Sequence, residues 1–319
     1  ELRLTGIDEM YLKHDSPLLE ACNTIFQVHL QVEPKTFVPM YNIAQALAGP
    51  TLAVAANSPL LLGKRLWHET RIVLFQQSID DRTSLAYQRE KSPRVTFGND
   101  WLKNSILEIY KEDISRFRPI LASEETVSSI AKIKEGVTPI LKALQVLNGT
   151  VYRWNRPCFG INSDGTPHLR IENRVLPSGP TLHDEMANTA FWLGAMVGMH
   201  RNYPDVTKVM SFSDARDNFI KGARTGIDSK FTWTHESKLS ASELVIKELI
   251  PLAKEGLQHH GINKDDIDRY MGTIQERAEA HMTGARWILK TYTNFLKDTT
   301  REEALTSLTN VILEKQETQ

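Results

Sequence analysis

The chain has 319 residues, enough for one large domain or two smaller ones, and its 41% hydrophobic and 24% charged residues are ordinary for a soluble globular protein. A net charge of −1 gives no indication of binding to nucleic acid or to a membrane surface, and no apolar run approaches the roughly 20 residues that span a bilayer. The two cysteines, Cys22 and Cys158, are too few for a disulfide framework and are typical of a reducing compartment, so we expect a cytoplasmic protein.

The first predicted strand spans residues 24–32, where apolar and polar side chains alternate. Its apolar face comprises Phe26, Val28, Leu30 and Val32, and its polar face comprises Gln27, His29 and Gln31. A lone histidine on a strand more often makes structural hydrogen bonds than binds a ligand, so a role for His29 depends on its neighbours. Residues 1–20 show no assignable pattern, and their acidic residues do not follow a strand-like alternation.

Helical spacing dominates the next part of the chain. Helices are predicted over residues 39–48, 66–78, 99–111 and 124–146. We expect the first of them to end at Ala48-Gly49-Pro50, because proline lacks the N–H that continues a helix. The last is expected to break or kink at Gly136 and Pro139 for the same reason.

A second strand is predicted over residues 167–175, where the residue types again alternate. Turn-forming pairs at residues 148–149 and 164–165 predict that residues 150–161 pair with this strand as a β-hairpin.

One face of the second strand carries His168, Arg170, Glu172 and Arg174, because side chains on a strand point alternately to opposite faces. Such a face is costly to bury unless something pairs with it. A polyanion with a divalent cation would do so, since arginines suit phosphate oxygens and a carboxylate suits the metal. The alternative is a solvent-facing sheet surface crossed by ion pairs.

The run Arg153-Trp154-Asn155-Arg156-Pro157 precedes this strand. Arginine forks suit carboxylate or phosphate, and a tryptophan can supply a stacking face. The run therefore indicates a binding site for an anion, with a surface hairpin whose arginines pair locally as the alternative.

After residue 180 the chain is helical in character. Helices are predicted over residues 182–201, 211–224, 241–259 (interrupted at Pro251), 264–282, 284–297 and 300–315, with a loop at 225–238. Early strands and late helices predict an α+β fold. No linker composition marks a boundary, so we expect a single domain over residues 1–319. The phosphate-loop, dinucleotide-binding, serine-hydrolase and zinc-protease motifs do not occur.

Several separate motifs, in order, resemble those of bacterial glutamate–cysteine ligases of the second type and related carboxylate–amine ligases. They are Gln27-Val28-His29, Ala56-Asn57-Ser58-Pro59 with Gly63, Arg71, Asp81-Arg82, Arg153-Trp154-Asn155-Arg156-Pro157, Glu172-Asn173-Arg174, Asn218, and Ala223-Arg224 with Gly226. The resemblance covers the chain from about residue 16 to its end. Asn155 stands where the family pattern leads us to expect an acidic residue.

This resemblance implies a fold related to glutamine synthetase, with a curved antiparallel sheet that forms a funnel and is backed by helices. It implies ATP and Mg²⁺ as cofactors and an ATP-dependent joining of a carboxylate to an amine. The γ-carboxylate of glutamate would attack the γ-phosphate of ATP, and the amine of cysteine would then displace phosphate from the acylphosphate.

The resemblance also implies roles for individual residues. Glu172 would bind Mg²⁺, with His29 as a second candidate ligand, and Arg174 would contact the transferring phosphoryl group, with Arg156 as a second catalytic candidate. Gln27, His29 and Arg174 would bind ATP. The candidates for substrate binding are Arg71, Arg82, Arg153 and Trp154. Asn57 and Ser58 are expected to shape a loop.

The family's first strands carry further metal-binding acidic residues, which we expect to precede the first residue of this sequence. Three alternatives stay open: a ligase of the same class with another amine acceptor, a non-catalytic relative that binds a nucleotide or an amino acid, and a helical scaffold with a polar sheet and no ligand. The acceptor amine, the oligomeric state and any feedback regulation do not follow from the sequence. Small-molecule substrates are the expected partners.

Overall fold

The computed structural model describes residues 2–13, 18–21, 23–80, 93–122 and 127–317. The strands are β1 (Leu2–Thr5), β2 (Glu9–Leu12), β3 (Val28–Val32), β4 (Leu60–Leu61), β5 (Lys64–Arg65), β6 (Val95–Thr96), β7 (Tyr152–Arg153), β8 (Asn155–Ile161), β9 (Pro167–Asn173), β10 (Lys230–Thr232) and β11 (Lys238–Ser240). The helices are α1 (Leu18–Ala21), α2 (Phe37–Ala55), α3 (Thr70–Ser78), α4 (Leu107–Arg116), α5 (Ser129–Lys134), α6 (Lys142–Asn148), α7 (Leu182–Asn202), α8 (Phe212–Thr225), α9 (Ala241–Leu244), α10 (Ile250–His259), α11 (Lys264–Glu279), α12 (Gly284–Phe295) and α13 (Arg301–Glu317).

A three-stranded antiparallel sheet in the order β3-β9-β8 lies at the centre of the early part of the chain. The predicted hairpin is therefore confirmed: β8 pairs with β9 so that Arg156 lies opposite Glu172. On the other edge of β9, β3 places His29 opposite the same glutamate. The apolar face of the sheet, with Ile171 and Val28, packs into the core. The charged strand thus has the buried back that its alternation predicts.

Helix α2 passes through the middle of the molecule and is buried on nearly every side. The prediction that it ends at residues 48–50 is wrong, because the helix continues through Pro50 to Ala55. Proline removes one helical hydrogen bond, but a helix buried all round gains enough from packing to offset that loss. Gly49 lies against the backbone of Asn218 in α8, where a side chain would come within 2.6 Å of the Asn218 carbonyl carbon.

The late helices agree with their predicted spans. Helices α7, α8, α11, α12 and α13 fall within a few residues of the predicted limits. The segment 241–259 is helical throughout, and its predicted interruption takes the form of a π-helical turn, Val245–Leu249, just before Pro251. The expectation of a plain loop at residues 225–238 is wrong, since β10 and β11 form a small hairpin there.

The first residues form a β-hairpin that the sequence did not indicate. Strands β1 and β2 pair antiparallel, Leu4 and Met10 pack with Leu66, and Leu2 is buried as well. The carboxylate of Asp8 accepts hydrogen bonds from the backbone and side chain of Arg65, which ties the hairpin to β5. The expectation that the acidic residues in this region avoid strands is therefore wrong for Glu9, which begins β2.

The fold class α+β is borne out by this mixture of small sheets and packed helices. The described residues form one three-stranded sheet and several two-stranded ones, so the single curved sheet of a glutamine-synthetase-like funnel stays a prediction. One buried apolar cluster continues from β3 through α2 to α11. The single domain over residues 1–319 stays a prediction. Among the described helices, none is long and apolar enough to cross a membrane.

Candidate active site

The polar face of the three-stranded sheet brings together side chains from all three strands. In one row across the sheet lie His29, Glu172 and Arg156. In the next row Arg170 lies opposite Cys158. Directly opposed residues in an antiparallel pair point to the same face, so these side chains are neighbours. The hypothesis that the two predicted polar strand faces coincide is confirmed.

Glu172 is the centre of this cluster, and it is only 3% exposed. Its Oε2 lies 3.7 Å from Nη1 of Arg156, and its Oε1 lies 3.6 Å from Nε of Arg174. The Sγ of Cys158 lies 3.3 Å from Oε2 and donates a weak hydrogen bond to it. Both arginine distances exceed hydrogen-bond length, so the two cations balance the charge of Glu172 without occupying its oxygen lone pairs. The carboxylate can therefore accept a further ligand.

His29 and Cys158 flank Glu172 in neutral form. Burial lowers the pKa of His29, while the nearby Glu172 partly opposes this effect. Burial, with the adjacent Glu172 carboxylate, raises the pKa of Cys158 to about 12. One ligand atom from each of His29, Cys158 and Glu172 lies within 4.8 Å of the other two.

Unpaired polar atoms mark the same face of β9. Within the described part of the chain, Nε of Arg170, Nε of Arg174 and Nδ1 of His168 are buried and have no hydrogen-bond partner. A buried donor without a partner costs about 1–3 kcal/mol, and the cost is higher for a charged group. An anion with several acceptor oxygens would satisfy the two arginine donors. This observation favours a ligand-binding face over a sheet surface closed by its own ion pairs.

Arg71, on α3, contacts the backbone that follows the end of β9. Its guanidinium donates to the backbone oxygen of Arg174 at 3.3 Å and to that of Val175, and its Nε lies 3.4 Å from Oε1 of Glu69. The cation also lies over the ring of Trp154, 5.8 Å from the centroid. Arg71 thereby positions the backbone that carries Arg174.

A cavity of about 300 Å³ opens beside Arg71 and is also lined by Asn57 and Ser58. The side chain of Asn57 donates to the backbone oxygen of Ser178 at 2.9 Å, and Ser58 donates to the carboxylate of Glu69. These contacts agree with the prediction that residues 57 and 58 shape a loop. The cavity has the size of a small-ligand pocket.

The structure does not bring Arg153 to this cluster. Arg153 lies on β7, which pairs with β6, whereas Arg156 lies on β8 of the three-stranded sheet. The buried guanidinium of Arg153 donates to Asp113 at 2.6 Å and to Glu112 at 2.9 Å. These two carboxylates neutralise its charge. Asn155 is likewise buried on the back of the sheet, where its side chain donates to Gln45 at 2.7 Å. Neither side chain faces Glu172.

The other predicted site residues take different positions. Trp154 is buried, and it lines a small cavity with Arg71 and Arg174. Gln27 is exposed just before β3. Arg82 lies outside the described residues, so its predicted role stays a prediction.

Two residues of the candidate site were not predicted. Cys158 was not among the predicted site residues, although its position two residues after Arg156 on the same strand places both on one face. Glu69, which is fully buried, holds both Arg71 and the loop at residues 57–58. No local pattern indicates this role of Glu69, because it depends on how the loop folds back onto α3.

The comparison with protein families gives one match. The family model described as glutamate-cysteine ligase family 2 matches residues 8–311, which is nearly the whole chain. A search among curated proteins found no significant match.

Proposed function

We propose a specific reaction for this chain from the premise that it belongs to glutamate-cysteine ligase family 2 and is thus a carboxylate–amine ligase. The reaction is the ATP-dependent joining of the γ-carboxylate of glutamate to the amine of cysteine. The observation that carries the proposal is the buried carboxylate of Glu172 between Arg156 and Arg174, on a face with unpaired arginine donors.

In the proposed reaction the γ-carboxylate oxygen of glutamate forms a bond to the γ-phosphorus of ATP, and the bond to the β,γ-bridging oxygen breaks to release ADP. The cysteine amine then attacks the acyl carbon of the resulting acylphosphate, and phosphate leaves. The amine loses a proton as the amide forms. Such a transfer depends on positioning and on charge neutralisation more than on a protein nucleophile.

Arg174 is the residue we assign to the phosphoryl group. Its Nε is buried and lies 3.6 Å from Glu172 without a hydrogen-bond partner among the described residues. Its cation lies against the rings of Phe75 and Tyr152, 6.0 and 5.5 Å from their centroids. A guanidinium held in place by these rings needs little rearrangement to bind a developing negative charge. Arg156, which is more exposed, would neutralise charge on the opposite side of Glu172.

Glu172 fits Mg²⁺, because that ion is usually bound by one or two carboxylates together with substrate phosphates and water. Bound there, Mg²⁺ would neutralise phosphate charge. Gln27 and His29 would contact the nucleotide, and Arg71, beside the 300 Å³ cavity, would orient the substrate carboxylate. We further propose that the family's curved sheet extends the three strands described here, and that the reaction takes place in the cytoplasm, where cysteine is reduced.

The test is ADP release by the complete gene product with Mg²⁺, ATP and glutamate, measured with and without cysteine. We expect release that requires both amino acids. Release that requires glutamate but does not depend on cysteine would be consistent with the acylphosphate step. The acceptor would then be sought among other amines. Binding of ATP without any release of ADP would contradict the proposed reaction and favour a non-catalytic relative.

A further inference from the structure

The donor set around Glu172 is broader than the binding of Mg²⁺ requires. Beside the carboxylate lie an imidazole, from His29 on β3, and a thiol, from Cys158 on β8. Magnesium prefers oxygen ligands, whereas nitrogen and sulfur ligands select zinc and similar transition metals. The three groups come from three different strands, so the sheet itself holds them at one place.

We propose that His29, Cys158 and Glu172 form a binding site for a thiophilic divalent cation of the Zn²⁺ class. In a tetrahedral zinc site with ordinary bond lengths, the ligand atoms lie about 3.4–3.6 Å from one another. The Sγ of Cys158 and the Oε2 of Glu172 are already 3.3 Å apart, and the ligand atoms of all three residues lie within 4.8 Å. Small side-chain rotations would close the site around an ion.

The surroundings are compatible with such an ion. Within the described part of the chain, the Cys158 thiol is the one recorded hydrogen-bond donor to Glu172, so ion binding displaces a single weak contact. Metal ligation requires a thiolate, and the thiol proton passes to solvent. One thiolate and one carboxylate then balance a dication, which limits its repulsion by Arg156 and Arg174. With three protein ligands, the fourth position is open to water.

Occupation of this site should inhibit the ligase reaction, an expectation that rests on the proposed function. The ion would take the carboxylate that the proposed reaction uses for Mg²⁺ and ATP. Zn²⁺ should therefore slow ADP release, and the effect should depend on Cys158, a residue to which the proposed reaction gives no part.

The test uses Co²⁺ as a spectroscopic substitute for Zn²⁺, added to the purified complete protein. A thiolate ligand produces a sulfur-to-cobalt charge-transfer band in the near ultraviolet. We expect this band in the unmodified protein, its loss in Cys158→Ser and its retention in Cys22→Ser, which removes the other thiol of the chain. Zn²⁺ should bleach the band by displacing Co²⁺.

His29→Gln provides a second variant if Cys158→Ser fails to fold, as judged by thermal unfolding. It keeps the thiol but removes the imidazole, and we expect its affinity for Co²⁺ to fall by about tenfold or more. A missing band in the unmodified protein, a band that persists in Cys158→Ser, or an unchanged affinity in His29→Gln would overturn the site.

The inhibition is measured separately, as the Zn²⁺ concentration that halves ADP release relative to each protein's own zinc-free rate. Cys158→Ser should need at least about tenfold more Zn²⁺ than Cys22→Ser. Equal sensitivity would overturn the competition. The absorption result decides the metal site whether or not ADP release is found, so failure of the site and failure of the proposed reaction are distinguishable.

Discussion

At the scale of single residues, the candidate active site is built around a buried carboxylate. Glu172 lies on the middle strand of the sheet, so neighbours approach it from both sides. Burial of a charge is unfavourable unless it is paired, and here Arg156 and Arg174 provide the pairing. Because neither arginine is close enough for a hydrogen bond, the carboxylate is stabilised yet still open to a ligand.

Replacement of Glu172 by glutamine tests the assignment of this carboxylate. The change keeps the shape of the side chain but removes its charge, and a neutral amide is a poor ligand for Mg²⁺. We expect ADP release to fall by more than about 100-fold, since loss of metal-assisted charge neutralisation costs several kcal/mol of transition-state stabilisation. Glu302 is an exposed residue in the first turn of α13, so Glu302→Gln is the matched control and should retain the original rate. A Glu172→Gln protein with full activity would remove Glu172 from the site.

Replacement of Arg174 by alanine tests the proposed contact with the phosphoryl group. Loss of one preorganised donor to a developing charge costs about 100-fold to 1,000-fold in kcat. We expect this loss in the single-turnover rate of ADP formation, with Arg216→Ala, an exposed arginine of α8, as control. Thermal unfolding of both variants separates an effect on chemistry from one on folding. An unchanged rate in Arg174→Ala would contradict the assignment.

At the scale of elements, glycines allow the helices behind the sheet to approach closely. Gly198 in α7 faces α10, where a Cβ atom would lie 2.6 Å from the carbonyl carbon of Leu252. Gly49 and Gly222 play the same part between α2 and α8, since each faces backbone of the other helix. At these crossings the helix backbones are in close contact, and little room is left for larger side chains.

Gly198→Ala should therefore destabilise the protein. The added methyl group overlaps the backbone of α10, and we expect a loss of about 1–3 kcal/mol in the free energy of unfolding. Gly272→Ala is the matched control, because Gly272 lies inside α11 with nothing within 4 Å of its added Cβ. That change should stabilise by about 0.5–1 kcal/mol through helix propensity. Urea denaturation measures both changes, and a stability of Gly198→Ala at or above the original would show that the crossing can relax.

The elements that the sequence predicts well are those whose periodicity agrees with their environment. The alternation in residues 167–175 and the long helical repeats after residue 180 are examples. The end of α2 was missed because Pro50 is a local signal, whereas the burial of the helix depends on distant segments. Arg153 and Arg156 looked like one site, but the chain bends at Trp154 and places them on strands β7 and β8 of two different sheets.

At the scale of the whole molecule, one buried apolar cluster extends from β3 through α2 to α11, so the stability of these elements and the candidate active site are coupled. Three histidines make this stability depend on pH. Burial lowers the pKa of His29, His68 and His200, which lie on β3, in the turn before α3 and on α7. Each accepts a proton less readily in the folded chain than in the unfolded one, so all three act in the same direction.

The free energy of unfolding should therefore fall as the pH drops through about 6.5, the ordinary pKa of histidine in an unfolded chain. Above that pH the three histidines are neutral in both the folded and the unfolded chain, so they do not change the free energy of unfolding. Below it the unfolded chain binds protons first, which stabilises the unfolded state relative to the folded one.

Among these three histidines, His68 is the one best suited to a test of this pH dependence. Its Nδ1 is buried without a hydrogen-bond partner among the described residues, and burial outweighs the opposing effect of Asp228, while Arg286 adds to it. One such group contributes at most about 1.4 kcal/mol per pH unit. His68→Gln should flatten the pH dependence of urea unfolding between pH 7 and 5, while the control His260→Gln, at an exposed helix end, should leave it unchanged. Equal slopes in all three proteins would show that His68 titrates alike in both states.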